Sequence, residues 1–358
     1  MRILRVEVEP LQLRLREPYT IAYETVDSVE NLLVRLITDG PHVGLGIAAP
    51  DQGVTGETAA VAEGALREVA APLLMESDPL RRGVVVEQLA AQLAHAPSAR
   101  AAVDMALHDL LGKQAGLPVW RMLGGYRSGI PTSITLYLTE TEEMVRRARA
   151  FAAKGFQALK LKGGANVDLD VERVHAVRAA VGPALELRFD ANQGYDPATA
   201  VDFHRRTLDA NLSMFEQPTA AARLKELRHV TQNIPIPVMA DESILNLADA
   251  FRYARGEAMD MVNLKLVKVG GLDAALQINA VARAAGLEVM VGCMDEVSLS
   301  IASGVAFALS RKNVEFADLD GHLDLIGDPT EGALTLRDGV LYPSEEPGFG
   351  LVDAEPGR

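Results

Sequence analysis

The sequence contains one cysteine, Cys293, so no disulfide can form within the chain. Because structural disulfides are typical of oxidising compartments, we expect a reducing, cytoplasmic location. The opening stretch MRILRVEVEPLQLRL alternates like a β-strand and lacks the apolar core of a secretory signal peptide. No apolar run reaches the roughly 18 residues that a membrane helix needs, so we expect no membrane partner.

Basic residues are also scarce. The chain has 35 Lys and Arg against 49 Asp and Glu, and its formal net charge is −14. This excess of acid argues against nucleic acid as a partner and weakly favours a cationic ligand or a bound metal. At 358 residues, the chain is too long for one small domain and fits a large barrel with an accessory domain. We also expect a homo-oligomer.

The hydrophobic pattern divides the chain into three parts. In residues 1–130, strand-like runs precede helical stretches, which predicts an α+β capping domain. In residues 131–325, seven helical stretches separate eight short apolar strands, which predicts an α/β fold, a (β/α)7β modified TIM barrel. The predicted strands are 132–138, 158–163, 186–191, 213–217, 237–241, 261–266, 288–294 and 313–318. Residues 326–358 carry a hairpin signal, LTLRDGVLYP, and we expect them to return to the capping domain.

Acidic side chains stand at the ends of three consecutive barrel strands, in the segments RFDANQ, MFEQP and MADES. The carboxyl ends of the strands form the active-site face of such a barrel. We therefore expect Asp190, Glu216 and Asp241 to converge there. Three carboxylates without a nearby His or Cys favour a hard divalent cation, and we predict Mg²⁺ as the cofactor.

Lysines flank this predicted metal site. Lys160 and Lys162 are two apart in ALKLKGG and point to the same side of a strand, while Lys265 lies four strands away, across the barrel. We predict that Lys162 and Lys265 are opposed bases that remove and return a proton α to a carboxylate, through an enediolate. Lys160 would act as an electrostatic stabiliser, and its crowding together with Mg²⁺ would lower the pKa of the base.

Two further polar residues near these strand ends, Asn192 and Lys268, are expected to support the site without contacting substrate. Thr135, on the first barrel strand, is expected to contact substrate.

Several motifs together resemble the enolase superfamily, muconate-lactonising subgroup. They are AAVDMALHDLLGKQAGLPVWRMLGG at 101–125, the Lys-x-Lys pair, the three acids and LKLVKVGG. The resemblance places the two bases on strands two and six, which match Lys162 and Lys265. The DLD at 318–320 is similar to the Asp-x-Asp of dipeptide epimerases. This likeness implies that Asp318 and Asp320 bind the free α-amino group of a dipeptide, and that the chain is an isomerase acting on the C-terminal residue.

Other activities of the subgroup stay open. They are N-acylamino-acid racemase, o-succinylbenzoate synthase and muconate cycloisomerase, and a catalytically silent scaffold is a further alternative. The Asp-x-Asp discriminates among them, because acylated or anionic substrates gain nothing from two carboxylates at that position. Retention of the three acids and both lysines argues against a silent scaffold.

The resemblance also implies that two capping-domain loops, YTIAYETVDS and APDQGVTGE, surround the substrate side chain. They offer Glu24 and Asp51 and no basic residue, and Asp295 adds negative charge from strand seven. The Ala-Glu epimerases place an arginine near the position of Glu24. We therefore expect cationic dipeptides to be preferred over Ala-Glu. The alternative is a hydrophobic pocket made by Tyr19, Ile21 and Tyr23.

Overall fold

The computed structural model describes residues 1–20 and 25–351. The chain begins with three antiparallel strands, β1 (Ile3–Thr20), β2 (Thr25–Thr38) and β3 (Val43–Ala48). Helical segments follow: α1 (Ala59–Gly64), a π-helical turn (Ala65–Ala70), α2 (Ala71–Leu74), α3 (Arg82–Gln92), α4 (Pro97–Ala115) and α5 (Val119–Met122).

Helix α4 is the centre of this N-terminal unit. It begins with Pro97 in its first turn and ends at Gly116, whose φ of 66° is left-handed. The helix lies so close to β3 that a Cβ on Gly46 would be 1.9 Å from the carbonyl oxygen of Ala102. Most of its residues are buried, which is typical of a helix covered on more than one side.

Eight parallel strands form the barrel, in the order of the chain. They are preceded by the short strand β4 (Ile130–Pro131). The barrel strands are β5 (Ser133–Leu136), β6 (Ala158–Lys162), β7 (Glu186–Asp190), β8 (Met214–Glu216), β9 (Val238–Ala240), β10 (Met261–Lys265), β11 (Glu288–Gly292) and β12 (Val314–Asp318). A parallel bridge between Thr132 and Ala317 closes the last strand onto the first.

Each pair of consecutive barrel strands is joined through one principal helix, as the strand–helix alternation predicted. These helices are α6 (Thr141–Ala153), α7 (Val167–Val181), α8 (Pro197–Arg206), α9 (Leu224–Asn233), α10 (Leu247–Arg255), α12 (Leu272–Ala284) and α13 (Ser298–Ala308), with a short α11 (Leu266–Val269) before α12. The predicted (β/α)7β barrel with a preceding α+β unit is confirmed, and the sheet of that unit is antiparallel. Among the described residues, no helix is both long and apolar enough to cross a bilayer.

The C-terminal segment contacts both the N-terminal unit and the barrel. Strand β13 (Leu325–Ile326) pairs with β1, whereas the hairpin of β14 (Leu334–Arg337) and β15 (Val340–Pro343) pairs with β4. Further on, the backbone N–H of Phe349 donates to Asp109 on α4. The domain boundaries at residues 130 and 325 stay a prediction.

A layer of four methionines fills the barrel interior. Met214, Met239, Met261 and Met290 are buried together on β8 to β11. Glu216 follows Met214 by two residues on β8, and Asp241 follows Met239 by two residues, directly after the end of β9. Because residues i and i+2 of a strand share a face, the methionines form the floor beneath these acids. Arg188 enters the same layer, with Nη1 3.6 Å from the sulfur of Met290.

Candidate active site

A cavity of about 80 Å³ opens at the carboxyl ends of the barrel strands. Both units line it, since Tyr19, Asp51 and Val54 come from the N-terminal unit. The predicted site residues in its lining are Asp51, Thr135, Lys160, Lys162, Asn192, Lys265, Asp295, Asp318 and Asp320. Glu24, with Ile21 and Tyr23, lies outside the described residues.

The three predicted metal ligands are buried next to this cavity, each in contact with a different neighbour. Asp190 Oδ2 accepts a hydrogen bond from Lys162 Nζ at 2.7 Å. Asp241 Oδ2 lies 2.9 Å from Lys265 Nζ. Glu216 Oε1 accepts from Asn263 Nδ2 at 2.7 Å, whereas its Oε2 has no hydrogen-bond partner.

The pKa values of two acids in this cluster are those expected of buried carboxylates in a cation site. Burial raises the pKa of Glu216 to about 8, and repulsion from Asp190 and Asp241 contributes. Glu242 behaves similarly: burial and the charges of Asp241 and Asp190 raise its pKa to about 7. Its Oε2 also lacks a hydrogen-bond partner. A divalent cation would relieve this repulsion and satisfy the orphaned oxygens, so the residues present fit Mg²⁺.

Glu242 was not among the predicted ligands. It directly follows Asp241, and adjacent residues of an extended chain normally point to opposite sides. Strand alternation therefore did not predict that Glu242 joins the same cluster as Asp241. In the structure, Asn192 Nδ2 contacts Glu242 Oε1 at 3.3 Å, and the backbone N–H of Asn192 donates to Asp190 Oδ1 at 2.8 Å. Asn192 therefore links two carboxylates of the cluster.

The three lysines each contact a carboxylate, which is why the chain tolerates the Lys160–Lys162 pair. Lys162 contacts Asp190, while Lys160 Nζ pairs with Asp318 and lies 3.7 Å from both Asp190 and Glu216. Lys265 contacts Asp241 from the opposite part of the sheet. The acid cluster is thus flanked by Lys162 of β6 and Lys265 of β10.

The lowered pKa expected for the base lysines with Mg²⁺ bound stays a prediction, and the protein charges around Lys160 and Lys265 act in the opposite direction. Burial lowers the pKa of Lys160, but the charges of Asp318, Glu216 and Asp190 outweigh it and raise this pKa well above its usual value. For Lys265, burial is likewise outweighed, chiefly by Asp241, and the pKa rises. The surrounding carboxylates therefore have a larger effect than lysine crowding.

Lys268 lies beneath the acids and does not line the cavity. It is fully buried, and its Nζ donates to the side chain and the backbone carbonyl of Asp241 and, at 3.2 Å, to Asn263 O. Burial raises the pKa of Asp241, but Lys265 and Lys268 outweigh it and hold this pKa well below the usual range. This placement is consistent with a supporting role.

The two aspartates of the DLD segment have different surroundings. Asp318 accepts hydrogen bonds from Lys160 Nζ and, at 2.6 Å, from Ser133 Oγ. Asp320 Oδ2 accepts from the backbone N–H of Thr135 at 2.7 Å. Burial, and then the charge of Asp318, raise the pKa of Asp320 to about 6. Ser133 was missed from the sequence because its partner comes close only when the barrel closes.

Asp295 and Tyr19 join the two units across the cavity. Tyr19 OH donates to Asp295 Oδ2 at 2.5 Å, and the Tyr19 ring stacks on Tyr137 at 3.8 Å between centroids. Burial raises the pKa of Asp295 to about 7 despite this hydrogen bond. Asp51 lines the same cavity, and its Oδ1 accepts from the backbone N–H of Val54. Sequence reasoning missed Tyr137, since a lone tyrosine after a strand carries no specific signal.

Two family models match the chain. Residues 3–124 match "Mandelate racemase / muconate lactonizing enzyme, N-terminal domain", and residues 143–355 match "Enolase C-terminal domain-like". The chain belongs to the enolase superfamily.

Full-length relatives in the enolase superfamily include dipeptide epimerases and, at 31% identity over 98% of this chain and 95% of that one, the N-succinyl-L-Arg/Lys racemase of Bacillus cereus. The chain is 36% identical to the L-Ala-D/L-Glu epimerase of Bacillus subtilis, covering 99% of this chain and 98% of that one. It is 38% identical to the L-Lys-D/L-Arg epimerase of Methylococcus capsulatus, covering 98% and 99%. Identity to the hydrophobic dipeptide epimerase of Enterococcus faecalis is 35%, again over 98% and 99%. This enolase-superfamily chain is therefore an isomerase of the epimerase and racemase type.

Solved structures agree with this placement in the enolase superfamily. The dipeptide epimerase from E. faecalis complexed with Mg and L-Leu-L-Tyr superposes with a TM-score of 0.95, at 35% identity over 98% of this chain and 99% of that chain. The dipeptide epimerase from M. capsulatus complexed with Mg and L-Arg-D-Lys gives 0.93, at 36% identity over 98% and 100%.

Proposed function

We propose that the protein is a Mg²⁺-dependent dipeptide epimerase that inverts the C-terminal residue by 1,1-proton transfer. One observation carries this proposal. Lys162 of β6 and Lys265 of β10 contact different carboxylates, Asp190 and Asp241, of one buried acid cluster. A substrate held at that cluster would have a lysine on each side of its α-carbon, as inversion requires.

Asp190, Glu216 and Asp241 would hold the metal ion, and two solved relatives were crystallised with Mg. When bound, Mg²⁺ would offset the carboxylate charges that raise the lysine pKa and stabilise the charge that develops on the substrate carboxylate. Glu242, linked to Asp190 through Asn192, would add negative charge beside these ligands.

The lysines move the proton. A neutral lysine on one face accepts the α-proton and becomes an ammonium, while the C–H electron pair passes to the carboxylate as an enediolate. The ammonium on the other face then donates a proton to the same carbon, which gives the opposite configuration. Before it can act, the accepting lysine must separate from its carboxylate, Asp190 or Asp241. Lys160, held between Asp318 and the acid cluster, would stabilise the developing negative charge.

The free ammonium group of the dipeptide would bind at the DLD segment. Asp320 offers the better acceptor, since Asp318 already accepts from Lys160 and Ser133. Thr135 orients Asp320 through its backbone N–H. An N-acylated substrate has no ammonium to match this carboxylate, which disfavours the racemase and synthase alternatives.

For the side chains of the dipeptide, we propose a cationic preference. Asp51 and Asp295 line the cavity, and every basic residue of its lining belongs to the barrel strands. The stacked Tyr19 and Tyr137 rings support a second candidate, a hydrophobic dipeptide. Among the relatives, the M. capsulatus enzyme is named for a cationic dipeptide and the E. faecalis enzyme for hydrophobic dipeptides.

Isotope exchange tests the proposal. A library of L-Ala-L-X, L-Lys-L-X and L-Arg-L-X dipeptides is incubated with enzyme and Mg²⁺ in D₂O, and mass shifts report α-exchange. We expect exchange in the free dipeptides but not in their N-acetyl forms. Preference for cationic members should fall in the Asp51→Asn and Asp295→Asn variants, and Glu24→Gln tests the predicted third acid. Preference for Ala-Glu would overturn the acidic pocket, and exchange confined to N-acyl substrates would overturn the epimerase proposal.

A further inference from the structure

A second cavity, of about 200 Å³, lies between helices α3 and α4 of the N-terminal unit and helices α10 and α12 of the barrel. Its lining shares no residue with the catalytic cavity. A cavity of about 150 Å³ is enough for benzene, so this one can hold a slightly larger molecule. Nothing in the proposed epimerase mechanism uses it.

Arg100 is the unusual group in this cavity. Its Nε is buried without a hydrogen-bond partner, and within the described ranges no carboxylate forms an ion pair with its guanidinium. Burial lowers the pKa of Arg100, and the charge of Glu57 offsets this only in part. A half-buried guanidinium with an unpaired N–H and no carboxylate at ion-pair distance gains a charge-assisted hydrogen bond when an anionic ligand binds.

The chain holds this guanidinium in place. A Cβ on Gly270, whose φ is +100°, would lie 2.8 Å from Arg100 Cζ, so only glycine lets the side chain rest there. The next residue, Gly271, gives the same close approach to Asp104. The glycine pair of the LVKVGG segment thus serves this interface, although it forms no part of the catalytic cavity.

The acids nearby are not equally available. Asp104 Oδ2 accepts from the backbone N–H groups of Leu272 and Asp273, at 2.5 and 3.4 Å, and so caps α12. Asp104, His108 and Asp273 have potential metal-ligand atoms within 4.8 Å of one another, but Arg82 holds both oxygens of Asp273. The region therefore disfavours a cation. Two carboxylates of the lining keep free acceptor atoms: Asp104, whose Oδ1 is buried without a hydrogen-bond partner, and Glu87, which is exposed at the cavity wall.

The remaining wall is mostly apolar, with Val86, Leu89, Leu247 and Val269. The lining thus combines a guanidinium whose Nε has no hydrogen-bond partner, two carboxylates with free acceptor atoms and an apolar surface. We infer that this cavity binds a free α-amino acid with an apolar side chain, its carboxylate on Arg100 and its ammonium toward the carboxylates of Asp104 and Glu87. Since the cavity lies between the two units, such a ligand would strengthen their contact. This inference does not depend on the proposed function.

Calorimetric titration of the full chain with L-leucine, in EDTA to keep Mg²⁺ from the acid cluster, tests the inference. We expect saturable 1:1 binding, weaker binding of 4-methylpentanoate, which lacks the ammonium, and no binding of isoamylamine, which lacks the carboxylate. Arg100→Gln and Glu87→Gln should each raise Kd about tenfold or more, because each removes a charged partner. The matched surface change Arg283→Gln should leave Kd unchanged.

A cavity-filling variant gives an independent check. Ala274 lines the cavity, and Ala274→Leu should abolish leucine binding while far-UV circular dichroism stays that of the parent. The same titration is repeated with excess L-Lys-L-Lys, a probe of the catalytic cavity. No binding to the parent chain, binding that survives both Arg100→Gln and Ala274→Leu, or full displacement by the dipeptide would each overturn the inference.

Discussion

At the scale of single residues, the assignment of bases can be tested with Lys162→Ala and Lys265→Ala. Each should lower epimerisation by about 10²- to 10⁴-fold, the usual contribution of a positioned base. Each variant should still exchange the α-proton of one epimer, because the base on the other face remains. The measurement is the rate of deuterium uptake into each separate epimer, read by NMR.

Lys225→Ala is the control for these variants, since Lys225 is exposed and lies on α9, away from the cavity. Its rates should match those of the parent enzyme. Full epimerase activity in either active-site variant would refute the two-base assignment.

The raised pKa of Asp320 predicts that the KM for a dipeptide depends on pH. The Asp320 carboxyl group, with a pKa raised to about 6, is neutral below that pH and cannot attract the substrate ammonium. The KM for a dipeptide should therefore rise as the pH falls through 6, by up to about tenfold per unit. The measurement is KM from pH 5 to 8 in the parent and in Asp320→Asn, in which the rise near pH 6 should be absent. A parent KM that does not change across pH 6 would contradict this role.

The sequence predicted the residues whose position depends on strand alternation alone. Asp190, Glu216 and Asp241 were found because each ends an apolar strand of similar register. Residues that depend on barrel closure were missed: Ser133 and Asp318 are 185 positions apart and meet only where β5 and β12 adjoin. Lys160 was assigned to the site, but its ion pair with Asp318 was not foreseen for the same reason.

At the scale of elements, the loops that follow β6 and β7 fix the approach of Lys162 to Asp190. A Cβ on Gly164, whose φ is +96°, would lie 2.0 Å from the carbonyl oxygen of Ala191. A Cβ on Gly194 would lie 2.2 Å from the carbonyl oxygen of Gly164. The two loops therefore pack backbone against backbone, and neither can accept a side chain without moving.

Gly164→Ala should accordingly lower the free energy of unfolding by about 3 kcal/mol or more, from backbone strain and the clash together. Gly116→Ala is the matched control, since Gly116 has a φ of +66° and a Cβ added there would meet no atom within 4 Å. That change should cost only about 1 kcal/mol. Urea unfolding followed by circular dichroism measures both. Equal losses in the two variants would show that the loop contact contributes nothing.

The C-terminal hairpin was predicted from the sequence, but the strand with which it pairs was not. The turn was predicted from Asp-Gly, and Asp338 does have the positive φ of 51° that such a turn requires. Its partner strand β4 has only two residues, Ile130 and Pro131, which is too short for any periodicity to reveal. The pairing therefore had no signal in the sequence.

At the scale of the whole molecule, the acid cluster links metal binding to stability. Mg²⁺ bound to the folded chain would relieve repulsion among the buried carboxylates, so its addition should raise the thermal midpoint. At a concentration 100 times Kd, the expected stabilisation is about 2.7 kcal/mol. EDTA should remove both this increment and the epimerase activity, and added Mg²⁺ should restore both.

Thermal denaturation with and without Mg²⁺ measures this effect without relying on activity. In Asp190→Asn the increment should shrink, whereas in Asp202→Asn, a change at a partly exposed residue of α8, it should persist. A midpoint that is insensitive to Mg²⁺ in the parent chain would argue against a metal site at these residues.

The methionine floor has a consequence for how isotope data should be interpreted. It places apolar side chains on the barrel side of the acids, and methionine offers no ionisable group that could relay a proton. The lysines line the cavity at the mouth, so we expect them to exchange protons with bulk water there, where a bound dipeptide would sit. A proton taken from the substrate can then return to the carbon it left before it mixes with solvent. Such internal return would make deuterium uptake undercount the true number of proton abstractions.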